Sequence, residues 1–182
     1  MSQFRVVLLV AFPSLLAAQT EKPRPEIGVR GGWMQISEKS DFGDNKYSML
    51  ALPTGVFGSA GGMHATFFVA PRVALEPQLG LMRLSEDGDS FMLTALALQP
   101  MFFLGADATK APYVFAQVAT LRESEADESD SRNAFGGGVG YRKVHRESLA
   151  MRYELRFRRW SDEFSKINEI GVLIGVGAVI RR

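Results

Sequence analysis

The chain has 182 residues, no cysteine, 18 glycines and a formal net charge of +1. The lack of cysteine excludes a disulfide scaffold and a thiolate metal site, and near-neutrality excludes a global field that would steer the chain to nucleic acid. About 160 residues, once a leader is set aside, suffice for one domain held by core packing or by a closed hydrogen-bonded sheet.

At the amino terminus Arg5 precedes the apolar run 6–12, then Pro13 and the small-residue stretch Leu16-Ala17-Ala18-Gln19-Thr20. This order predicts a secretory signal peptide over residues 1–18, cleaved near Ala18, with residues 19–26 as a short lead-in and the folded domain over 27–182. The run is shorter than the about 20 residues a helical span needs, and no second long apolar stretch follows, which argues against a helical inner-membrane protein.

Strand-like segments then recur, about eight of them, the usual number for the smallest membrane barrels. The first, near 27–36, puts Ile27, Val29 and Trp33 on one face and Arg30 on the other; a long connection through Asp41, Gly43, Asp44, Asn45 and Pro53 follows. Residues 63–69 and 73–81 form a hairpin about Ala70-Pro71-Arg72, its second arm setting Val73, Leu75, Leu79 and Leu81 against Glu76, Gln78 and Gly80. Pro77 would break a helix here and removes a ladder hydrogen bond from a strand. A loop at 86–90 leads to an apolar strand over 91–104, and a short turn leads to the strand 113–119. The acid- and serine-rich stretch 123–132 reads as a solvated loop. Strand 135–141 sets Phe135, Val139 and Tyr141 against Gly136, Gly138 and Gly140, and residues 143–148 form a polar turn.

The segment 151–158 alternates Met151, Tyr153, Leu155 and Phe157 with Arg152, Glu154, Arg156 and Arg158. A helix competes here, because Tyr153, Phe157 and Trp160 would form an i, i+4, i+7 stripe. The last strand, 170–178 after a loop at 161–167, carries Gly171, Gly175 and Gly177, each costing about 1 kcal/mol in a helix relative to alanine, so strand wins there and, by adjacency, at 151–158.

Sorting the faces predicts an all-β, eight-stranded antiparallel up-and-down transmembrane β-barrel. Its large apolar side chains face lipid, and its lumen holds a polar core of Arg30, Glu76, Gln78, Arg152, Glu154, Arg156 and Arg158. If Glu76 pairs with Arg152, Glu154 is the only acid left in that set, so further acceptors must be supplied. Aromatics near strand ends (Trp33, Phe91, Phe102, Phe103, Tyr113, Phe135, Tyr141, Trp160) fit either interfacial girdles or ordinary core positions. Long connections follow the odd-numbered strands and short turns the even-numbered ones, as expected when both termini lie on the periplasmic side. The alternative is a soluble periplasmic ligand-binding barrel with the large apolar face lining a cavity.

Candidate chemistry is sparse. His64 and His145 are the only histidines, and neither is expected to form a catalytic pair with a nearby hydroxyl. The acidic residues of 123–130 lack the glycine and terminal glutamate of an EF-hand loop, and no phosphate-binding, dinucleotide or metal-ligand motif occurs, so no catalytic residue, cofactor or metal is expected.

The stretches 65–77 and 111–114, the Gly-x-Gly-x-Gly strand and the glycine-rich last strand resemble the small outer-membrane β-barrel proteins of the OmpA/OmpX-like class. The resemblance implies a non-enzymatic bacterial outer-membrane protein with a structural or surface-interaction role carried by extracellular loops. It also implies a monomer whose partners are outer-membrane lipids, lipopolysaccharide and the assembly machinery. Such barrels usually end in an aromatic residue, whereas this chain ends Val179-Ile180-Arg181-Arg182. A weaker resemblance is to the outer-membrane lipid A 3-O-deacylases, whose late Arg-His-x-Ser-Asn motif is matched by Arg158-Arg159-Trp160-Ser161-Asp162. Arg159 stands where the histidine should be, and an arginine, protonated up to about pH 12, cannot act as base.

Overall fold

Side chains that alternate between large apolar and polar or small groups have one arrangement that satisfies both faces and every backbone donor, a sheet closed on itself. The computed structural model, which describes residues 23–40, 43–51, 62–86, 89–125, 128–161 and 165–180, adopts it. Its strands are β1 (Glu26–Ser40), β2 (Gly43–Ala51), β3 (Gly62–Ala70), β4 (Val73–Glu86), β5 (Asp89–Phe103), β6 (Lys110–Glu125), β7 (Glu128–His145), β8 (Leu149–Ser161) and β9 (Ser165–Val179). The expected signal peptide lies outside the described residues.

Neighbours pair antiparallel throughout, and β1 closes the barrel on β9 from Glu26 opposite Val179 to Ser40 opposite Ser165. On its other side β1 pairs with β3 over its first residues and with β2 from Gly32 onward. Strands β2 and β3 therefore share one place in the wall, and nine strands make an eight-stranded barrel.

The faces sort without ambiguity. Along β8, Arg152, Glu154, Arg156, Arg158 and Trp160 are buried in the lumen while Tyr153, Leu155, Phe157 and Arg159 point outward. Around the whole wall large apolar groups are exposed, Ile27, Phe67, Leu96, Phe135 (63 %), Leu155 and Ile174 among them. A belt of that extent is a surface for lipid, and the charged interior is the converse of a cavity lined by apolar groups. The soluble apolar-cavity alternative is inverted by this geometry.

Two expectations need correction. The connection through Gly43, Asp44 and Asn45 contains a strand, β2, whose residues 43–48 are exposed on both faces. The supposed acidic loop is the paired ends of β6 and β7, with Arg122 opposite Ser131 and Glu123 opposite Asp130. The two share a cause: strands of up to 18 residues exceed the about 9–11 needed to cross a bilayer, and in water both faces are polar, so no alternation marks the excess. The end aromatics divide between the two positions open to them: Phe103, Tyr113 and Trp160 are buried in the lumen, while Trp33, Phe135 and Tyr141 point outward.

Pro77 is accommodated by a gap in the ladder. Met63 and His64 pair with Leu79 and Gln78, Phe67 and Phe68 with Leu75 and Ala74, and the ladder is interrupted between them. Pro100 sits at a similar gap between the pairs Leu98–Val118 and Met101–Phe115.

Candidate functional site

Strand parity points the residues of one face of each strand into a tube about eight strands round, where side chains meet across the axis. At the end that carries the tight turns and both described chain ends, Arg142 donates to Glu26 through Nε (3.1 Å) and Nη2 (2.8 Å) and to the carbonyl of Ala108. Arg152 bridges Glu26 and Glu76 and donates to Thr66 Oγ1 (2.7 Å).

In the middle, Arg30 pairs with Glu76 and with Glu154 (2.9 Å). Glu154 also accepts the Tyr113 hydroxyl (2.5 Å) and Gln99 Nε2 (3.3 Å). Gln78 donates to Glu76 (3.0 Å) and Gln99 (2.9 Å), and Gln117 donates to Gln78 (3.0 Å). Toward the far end Arg156 and Arg158 converge on Glu169 at 2.9 and 2.5 Å, and the Trp160 indole N–H reaches the same carboxylate (3.2 Å).

Apolar layers close both ends: Phe68, Met101, Phe103, Tyr113 and Phe115 by the turns, Leu93, Leu121, Ala134 and Trp160 opposite. Cations stack on these layers, Arg142 over Phe68 (5.1 Å) and Arg158 over Trp160 (4.9 Å). The interior is thus a continuous hydrogen-bonded core in which every charge needs its neighbour, since an unpaired ion here would lose its hydration without compensation.

No family model matches the sequence, and no curated protein matches it. Among solved structures, Neisserial surface protein A (NspA) is 12 % identical, with 85 % of this chain and 97 % of that chain covered and a TM-score of 0.57. Ail, the attachment invasion locus protein of Yersinia pestis, is 14 % identical over 88 % of this chain and 100 % of that one (TM-score 0.45). The fold shared with NspA settles the architecture. The chain has the fold of a small eight-stranded outer-membrane β-barrel.

All seven residues expected in the barrel's polar core project into the lumen and join one network, Gln78 half-buried and the other six buried. Strand parity also identifies their partners. Glu26 shares a face with Arg30, although it falls within the expected lead-in; Glu169 precedes Ile170 and so lies on the opposite face, at the edge of the expected loop. Gln99, Gln117 and Arg142 obey the same rule. These supply the acceptors and donors that the seven lacked.

Glu26, His64 and Glu76 bring possible metal-ligand atoms within 4.8 Å of one another. The barrel already places a cation there: the Arg152 guanidinium pairs with both carboxylates, so the set fits guanidinium rather than a metal ion. His64 is buried beside Gly28, its two ring nitrogens without hydrogen-bond partners among the described residues, and Thr66 bonds Glu76 instead of His64. Ser161 donates to the Asn133 carbonyl (3.3 Å) on the outer wall, where its neighbour Arg159 also points outward. His64 in the lumen and His145 at the turn end are both remote in the fold from Ser161, so neither histidine is brought to it as a base.

Proposed function

We propose that the protein is a non-enzymatic outer-membrane barrel with a structural or surface-interaction role, acting through the strand ends and loops opposite its termini. The supporting observation is the lumen, filled by buried ion pairs and closed by apolar layers, which leaves the outside and the ends of the molecule to meet partners. The termini and tight turns face the periplasm, and the β1–β2 and β6–β7 hairpins extend from the cell surface. Arg122 and Arg159 point outward at the margin of the apolar belt, Arg159 paired with Phe135, at the level where phosphates of lipopolysaccharide would meet them. The barrel works as a monomer, delivered by the outer-membrane assembly machinery.

Cell fractionation tests this reading. Recovery in the outer-membrane fraction, with migration in detergent gels that changes on heating, is the expected result. Purification as a soluble periplasmic protein without detergent would overturn it.

A further inference from the structure

At the turn end of the wall two lysines stand directly opposite one another. Lys110 on β6 pairs with Lys143 on β7, and both side chains are exposed on the outward face, one step beyond the outward pair Pro112 and Tyr141. Val144 N donates to the Thr109 carbonyl (2.8 Å), so Thr109 and Val144 are a hydrogen-bonded pair. The lysines therefore occupy the adjoining, closer kind of pair, with Cα atoms about 4.5 Å apart. Like charges so placed repel. Neither ammonium forms an ion pair or a hydrogen bond among the described residues. Asp107, the acid nearest in sequence to Lys110, is taken up by the Thr109 N–H (2.8 Å) and hydroxyl (2.6 Å).

The surroundings of the pair are amphipathic. Tyr141 and Tyr153 are cross-strand partners on the outward face of β7 and β8, and their hydroxyls have no hydrogen-bond partner among the described residues. Toward the middle of the wall the same face carries Val114, Val139 and Leu155, all exposed. An apolar track, two phenols and two ammonium groups follow one another in the order in which a phospholipid presents its acyl chains, ester oxygens and phosphate.

We propose that Lys110 and Lys143 bind the phosphate of one anionic glycerophospholipid, of the phosphatidylglycerol type, in the leaflet at the turn end, with Tyr141 and Tyr153 donating to its ester oxygens. The phosphate is the counter-charge that the two ammonium groups lack. A lipid that carries its own ammonium, such as phosphatidylethanolamine, restores the repulsion and is disfavoured. Such a site exists only if the barrel lies in a membrane, as proposed above.

The test is native mass spectrometry of the full mature chain refolded into detergent micelles and offered phosphatidylglycerol or phosphatidylethanolamine with the same acyl chains. Phosphatidylglycerol is expected to bind as a single adduct, on the order of tenfold more tightly than phosphatidylethanolamine. Lys110→Gln combined with Lys143→Gln should remove the preference. Lys110→Glu, which gives Lys143 an ion-pair partner within the wall, should remove it as well. Arg72→Gln, which takes away a cation of the same end on the β3–β4 turn, should leave it intact. Equal retention of the two lipids by the unmodified chain, a preference that survives both lysine variants, or an equal loss in Arg72→Gln would overturn the proposal. A chain that stays in solution without detergent would overturn it together with the outer-membrane reading, whereas equal retention by a barrel held in detergent overturns it alone.

Discussion

Gly140 lies beneath the Tyr113 ring, and a Cβ there would stand 2.4 Å from Tyr113 Cζ and 2.6 Å from its hydroxyl oxygen. The ring has little freedom to yield, being buried and donating to Glu154. Gly140→Ala should therefore cost about 1–3 kcal/mol by overpacking, measured by urea unfolding of the refolded barrel. Gly175→Ala is the control: its Cβ would meet nothing closer than 3.6 Å, and a change within about 0.5 kcal/mol is expected. Glu154 itself accepts from Arg30, Gln99 and Tyr113, so Glu154→Leu leaves a buried guanidinium short of a counter-charge and should cost about 3–5 kcal/mol in the same assay. At this scale parity made much of the lumen legible, because Arg30 against Val29 or Arg156 against Leu155 announces its side of the wall. The pairings were not legible, since Arg152 finds Glu26 and Glu76 across the tube from strands far away in sequence.

Strands carry readable alternation only where their two faces meet different media. Along β8 one face meets lipid and the other the lumen, and the pattern is complete from Arg152 to Trp160. Where β2 and the far ends of β6 and β7 rise beyond the belt both faces meet water, and the sequence there reads as loop. Two substitutions separate these environments. Ile174→Arg, on the lipid face of β9, should destabilise the barrel in liposomes by about 2–4 kcal/mol. Lys46→Glu in β2 should change stability by no more than about 0.5 kcal/mol, because its side chain is exposed above the belt. A large loss from Lys46→Glu would place β2 in the load on the barrel rather than above it.

For the molecule as a whole, closure of β1 on β9 removes every free edge from the lower wall, and the filled lumen removes the channel that a wider barrel would have. Reconstituted in a planar bilayer the protein should show no discrete ion-conducting steps; steady conductance would mean that the arginine–glutamate core opens. The central claim is that the apolar face meets lipid while the charged face is inside, and the two tryptophans report on it from opposite sides of the wall. Trp33 points outward (43 % exposed) and Trp160 is enclosed in the lumen (6 %). In liposomes containing brominated phospholipid, the Trp160→Phe variant, which retains Trp33, should be strongly quenched, and the Trp33→Phe variant, which retains Trp160, should not. Quenching of Trp160 with Trp33 unaffected would contradict the account.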